Sequence, residues 1–253
     1  MPFITAGDPD LTMTTRLVHE LSRRGASLIE LGVPYSDPIA DGPVIQASYT
    51  RALQRHIKLA DIFAAVGDIR AASSFAVPLC PLVAMVSYAI VFRYGLEKFV
   101  LDAKQAGFEG AIVPDLPVEE ASELAGIAAR HDFKVILLVT PTTPRERAAE
   151  IARVSTGFIY FVSITGITGE RTTIPESVLG QVAWLKTQTE LPICIGFGIS
   201  RPEHIRMLAP VADGVIVGSA IVRRIAEGAN EPPEKTVREI GEYAATLIEA
   251  LNG

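Results

Sequence analysis

The 253-residue sequence predicts an α/β fold, a single (β/α)8 TIM barrel spanning residues 1–253. Three observations carry that prediction. Eight short apolar runs containing β-branched residues alternate with longer stretches of helical period, as repeated βα units require. Each run leads into a helical stretch, and eight such strands suit a closed barrel better than an open doubly wound sheet. Glycine-rich segments follow the last three runs, the end of such a barrel where phosphate is commonly held.

The predicted strands are 2–6, 27–31, 79–86, 110–113, 134–139, 157–162, 192–196 and 214–217. The helix after the first strand shows amphipathic spacing in Leu17, Val18 and Leu21, and Asp10, Thr143 and Ser200 are read as capping residues at helix starts. The long interval between strands 2 and 3 is the exception to the repeat and contains an extra predicted helix over 59–72. No Pro-rich or Ser-rich linker interrupts the pattern, so no domain boundary is drawn. The first strand begins almost at Met1, which leaves no element to cover the bottom of the barrel.

Composition narrows the function classes. A formal charge of -6 with scattered Lys and Arg gives no basic stripe for nucleic acid. Cys80 and Cys194 lie in apolar runs and suit a reducing cytoplasm rather than a disulfide framework. No uninterrupted apolar stretch reaches about 18 residues and no basic-then-apolar leader opens the chain, so neither a membrane span nor a signal peptide is expected.

Chemistry in these barrels sits on the loops after the strands. Glu30 interrupts the apolar run Leu28-Ile29-Glu30-Leu31 at the end of strand 2, and Asp41 lies on the Pro- and Gly-rich loop beyond it. A carboxylate removed from water must be paired or must take up a proton. Two carboxyl groups in different surroundings can divide acid/base work, with Glu30 the proton carrier; a Glu buried against an Arg or Lys is the competing reading. Asp37, before Pro38, reads as a turn residue.

The segments GITGE (166–170), GFGIS (196–200) and VGSAIV (217–222) follow strands 6, 7 and 8. Glycines there let backbone N–H groups approach an anion while a helix N-terminus adds partial positive charge, and Ser219 can add a hydroxyl donor. Phosphate is the expected ligand. His19, His56, His131 and His204 show no metal-ligand spacing and read as surface or capping residues, so no metal is predicted. Met85 and Trp184 read as packing residues.

These residues suggest proton transfer on a small phosphorylated molecule, and longer segments add a family. PFITAGDPD (2–10), IELGVPYSDPIADGPVIQ (29–46), VPDLPVEE (113–120), FIYFVSITGITGER (158–171), GFGIS (196–200) and GVIVGSAIV (214–222) closely resemble the tryptophan synthase alpha-subunit family, in the family's order along nearly the whole chain. The resemblance implies a cytoplasmic lyase of tryptophan biosynthesis that cleaves indole-3-glycerol phosphate to indole and glyceraldehyde 3-phosphate by retro-aldol chemistry, without cofactor or metal. Glu30 falls on the family's general acid/base and Asp41 on the aspartate that accepts the indole N–H. Gly169, Gly198, Gly218 and Ser219 fall on its phosphate-binding positions, Phe3 and Tyr160 on aromatic positions at its site, and Thr168 on a residue of the loop that closes the site.

The resemblance further implies a beta-subunit partner, itself carrying pyridoxal phosphate, in an alpha2-beta2 assembly, with the contact face at the top of the barrel including the loops after strands 2 and 3. Two departures stand out. The family's leading N-terminal helix is missing, and in AMVSYAIVF (84–92) Ala89 stands where the family has Asn. Other readings stay open: a stand-alone indole-producing lyase, a weakly active regulatory subunit of the beta partner, or another phosphate-binding barrel such as a phosphoribosyl isomerase or a sugar phosphate epimerase.

Overall fold

The computed structural model describes residues 1–38, 41–72, 79–163, 175–196 and 198–252. Among these residues, eight parallel strands follow one another in chain order. They are β1 (Phe3–Thr5), β2 (Ile29–Gly32), β3 (Leu82–Met85), β4 (Gly110–Ile112), β5, β6 (Ile159–Val162), β7 (Ile193–Gly196) and β8 (Gly214–Ile216). β5 runs as two segments, Lys134–Ile136 and Leu138–Val139. The first segment pairs with β4 and the second with β6, so Leu137 marks the passage from a five-stranded sheet to a four-stranded one. A bridge between Pro2 and Val217 joins β1 to the end of β8 and closes the barrel. Phe3 N donates to Val217 O and Val217 N to Met1 O, each at 2.9 Å.

Two apolar layers result from strand alternation. Outward residues such as Ile29, Leu31, Ala84, Ala111 and Ile195 pack under the helices. Inward residues Val83, Ile112, Ile136, Tyr160, Cys194 and Ile216 fill the barrel itself. Glu30 is the register partner of both Phe3 and Val83, which places its side chain in that interior row.

The helices are α1 (Leu11–Arg23), α2 (Pro43–Gln54), α3 (Leu59–Ala71), α4 (Tyr88–Tyr94), α5 (Leu96–Ala106), α6 (Ala121–Arg130), α7 (Arg145–Val154), α8 (Glu176–Leu185), α9 (Pro202–Leu208), α10 (Ser219–Glu227) and α11 (Pro233–Asn252). Leu17, Val18 and Leu21 of α1 are buried, and the Asp10 side chain caps it by accepting from Met13 N at 2.7 Å. The extra helix expected between strands 2 and 3 is α3, and α2 precedes it.

Two capping expectations are corrected. Pro144 and Arg201 occupy the cap positions of α7 and α9, because Pro144 holds an extended backbone before the first turn and Pro202 suits the first helical position. Thr143 instead accepts from Thr140 N at 2.9 Å, and Ser200 lies one residue before the cap.

α2 is fixed to the β1 end by polar contacts. Thr5 and Ser48 share a 2.6 Å hydroxyl contact, and Arg51 makes a two-pronged ion pair with the buried Asp8, at 2.8 and 2.7 Å. Those contacts orient the helix that follows Asp41 directly.

Candidate active site

Glu30 is fully buried within β2, which extends beyond it to Gly32. The side chain points into the barrel interior as expected, and β2 runs one residue further than the predicted 27–31, to Gly32. Neither carboxyl oxygen has a hydrogen-bond partner among the described residues. Burial raises its pKa from the ordinary 4.5 to about 8, so the group is mostly protonated at neutral pH. The competing reading, a Glu locked against an Arg or Lys, does not hold among the described residues.

Aromatic and sulfur groups form the surroundings. The Tyr160 hydroxyl is raised well above 10 by burial and by the nearby Glu30, and the Cys194 thiol is pushed up to about 12 by burial and the same carboxyl. Tyr49 of α2 is raised by burial, then by Asp41 and Tyr35, and by Glu30. The glycine that ends β2 permits this crowding: a Cβ at Gly32 would lie 2.5 Å from the Phe3 ring and 3.0 Å from the Tyr49 hydroxyl.

Asp41 sits half-buried just before α2. Burial raises its carboxyl from 3.8 to about 6, against the hydrogen bond donated by the Tyr35 hydroxyl, which lowers it. The Tyr35 ring leans on Tyr49 with centroids 5.5 Å apart. The Asp41 carbonyl accepts from Gln46 Nε2 at 2.7 Å, which fastens this turn to α2.

A cavity of about 400 Å³ opens over these groups, within the range that encloses small molecules. Phe3, Asp41 and Tyr160 line it together with Gly198, Gly218 and Ser219, and Phe3 lies against Gly218, where a Cβ would meet its side chain at 3.6 Å. Glu30 is not a lining residue but lies beside two that are, Phe3 through strand register and Tyr160 through charge. Gly198 has φ +78°, a left-handed conformation that a side chain would strain. Ser219 opens α10, so the first amides of that helix lack intrahelical partners on the cavity side. Thr168 and Gly169 lie outside the described residues.

The lining also includes polar and polarizable residues that the sequence pattern does not mark: Met85, half-buried and expected only to pack, and Arg201, His204 and Arg223. His204 is 6% exposed rather than a surface residue, and its Nδ1 accepts from Ser200 N at 3.3 Å. Its position three residues after Arg201 and eighteen after Lys186 carries no spacing signal; only the fold brings it to the cavity. Among the described residues no three His, Cys, Asp or Glu side chains gather to hold a metal ion, and no helix is long and apolar enough to cross a membrane.

Two carboxyl groups of unlike burial beside a cavity that also carries a backbone cradle for an anion define a (β/α)8-barrel enzyme. Comparison supplies the family. The chain belongs to the tryptophan synthase alpha chain family, whose model matches residues 1–252. It is 51% identical to the tryptophan synthase alpha chain of Rhodopirellula baltica, over 100% of this chain and 92% of that relative. It is similar to a chain solved in the tryptophan synthase a2b2 complex of Pyrococcus furiosus, with TM-score 0.89 and 38% identity over 98% of this chain and 96% of that one. A tryptophan synthase alpha chain from Legionella pneumophila gives TM-score 0.86 at 34% identity, covering 99% and 90%.

Proposed function

We propose that this chain, folded as one barrel domain, is the alpha-subunit lyase of tryptophan biosynthesis that splits indole-3-glycerol phosphate into indole and glyceraldehyde 3-phosphate without a cofactor. The observation that carries the reading is the opposed state of two carboxyl groups: Glu30 raised to about 8 and Asp41 to about 6. Between those values Glu30 is an acid and Asp41 a carboxylate. Glu30 donates its proton to indole C3 while Asp41 accepts the ring N–H and offsets the positive charge that grows there. The bond from C3 to the glycerol carbon then breaks, its electron pair restores the aromatic ring, and the hydroxyl proton on that carbon passes to the Glu30 carboxylate. The aldehyde forms and Glu30 is again protonated, so acid and base are one residue.

Phe3 and Tyr160 wall the indole end; Gly198, Gly218 and Ser219 take the phosphate. Gly169 and Thr168 are assigned, through the family resemblance alone, to the phosphate site and to the closing loop. A beta-subunit partner carrying pyridoxal phosphate is proposed on the same footing. The exposed Phe92, 68% accessible on α4 after β3, with Tyr88 against it at 6.0 Å between ring centroids, supports a docking face there.

Indole release from indole-3-glycerol phosphate by the purified chain, with and without a beta subunit, tests the proposal. The expected kcat/KM profile is bell-shaped, rising near pH 6 as Asp41 ionises and falling near pH 8 as Glu30 loses its proton. A flat profile across that range, or no indole in either assay, refutes it.

A further inference from the structure

The glycine side of the cavity carries more positive charge than the backbone alone supplies. Arg201, at the cap of α9, and Arg223, one helical turn after Ser219 on α10, both line the cavity. Among the described residues neither guanidinium makes a hydrogen bond or an ion pair. Their neighbours differ. Arg224 lies 3.6 Å from the centre of the Tyr243 ring and donates to Ala220 O, and Arg206 stands 3.7 Å from Glu203. Positive side chains beside those two are thus engaged, whereas Arg201 and Arg223, both exposed residues that line the cavity, are left open to a ligand.

His204 adds a third donor. It is nine-tenths buried, lines the same cavity and uses Nδ1 to accept the Ser200 amide, so the neutral ring carries its proton on Nε2. Nε2 has no partner among the described residues. The Ser200 amide is consequently spent on the histidine and is not a free donor to a ligand, while Tyr243 holds the Ser200 carbonyl at 2.9 Å.

We propose that Arg201, His204 and Arg223 form a side-chain anion site that binds the phosphate monoester together with the α10 amides and sets ground-state affinity rather than chemistry. The inference rests on the function proposed above for the identity of the substrate, but not for the binding of the anion. Two guanidinium groups and an N–H donor match a dianion with three terminal oxygens, in a protein of net charge -6 that otherwise repels it. His204 is a positioning residue for the Ser200 turn as well as a donor.

The test is calorimetric titration of inorganic phosphate and of glycerol 3-phosphate into wild type, Arg201→Gln, Arg223→Gln, the double variant, and Arg206→Gln as a charge control on α9. Each cavity variant should weaken binding about tenfold, the magnitude of one charge-assisted hydrogen bond. Arg206→Gln should stay within about twofold. In the indole assay KM should rise with kcat nearly unchanged, and melting curves should show all variants folded. Equal phosphate affinity in wild type and the double variant, equal losses in Arg206→Gln, or no anion binding by wild type overturns the proposal. Phosphate binding that needs these arginines in a chain that releases no indole would refute the lyase reading and leave the anion site standing.

Discussion

On the β2 side of the cavity, charge is held by two carboxyl groups whose burial differs, whereas on the β7 and β8 side it is held by amides, a helix end and guanidiniums. The first arrangement tunes a proton: Glu30 sits among Phe3, Val83, Tyr160 and Cys194, and burial there, with no hydrogen-bond partner among the described residues, lifts it to about 8. The second fixes an anion, with Gly198 at φ +78° and Ser219 at the start of α10. Kinetics should separate the two sides, since one acts on the barrier and the other on affinity.

The largest expected effect is that of Glu30→Gln. Removing the general acid/base should lower kcat by roughly 10²–10⁴-fold with KM little changed. The same substitution reads out in stability. The native state keeps the Glu30 proton up to about pH 8, while the unfolded chain loses it near 4.5, so the native state binds more protons in between. Wild-type stability should therefore fall, relative to the variant, as pH rises from about 4.5 to 8. Parallel denaturant melts at pH 5 and pH 8 that keep a constant difference would show that Glu30 is not held neutral.

The two sides also differed in what the chain revealed before folding. Glu30 was legible because a charge inside Leu28-Ile29-Leu31 violates the apolar pattern, and Asp41 because it follows on the same loop. Gly198 and Ser219 were legible from strand order alone. Arg201, His204 and Arg223 were not, because their place at one cavity depends on two neighbouring βα units being brought together. The eight strands were found, although their ends shifted: β2 runs to Gly32, and β5 is interrupted at Leu137, a change of sheet that periodicity does not encode. Tyr49 lay beyond reach for the same reason as His204, since its contact with the Glu30 neighbourhood depends on how Asp8–Arg51 and Thr5–Ser48 seat α2.

Paired alanine substitutions of two glycines sharpen the contrast at smaller magnitude. Gly198→Ala forces a side chain into left-handed backbone, at a cost of about 1–2 kcal/mol, and should raise KM about tenfold by displacing the phosphate turn. Gly32→Ala brings a Cβ within 2.5 Å of the Phe3 ring, so the ring and the Tyr49 hydroxyl must shift. There kcat should fall by about tenfold, with phosphate affinity kept. Both substitutions affecting KM alone would mean that the carboxyl side is not tuned by packing.

The smallest effect is the most specific to the tuning itself. Asp41 is raised by burial and partly restored by the Tyr35 hydroxyl, which donates to its carboxylate. Tyr35→Phe keeps the ring that leans on Tyr49 and removes only that donor. The carboxylate then loses support, its pKa rises, and the acid limb of kcat/KM should move above pH 6 by roughly one unit, the equivalent of one hydrogen bond to a charged group. The alkaline limb belongs to Glu30, for which Tyr35 is not a cause of shift, and should stay near pH 8. A narrower bell with an unmoved alkaline side is therefore the expected outcome. If both limbs moved together, the two carboxyl groups would titrate as a coupled pair, and the division of labour between a buried acid and a half-buried base would have to be replaced by a shared proton.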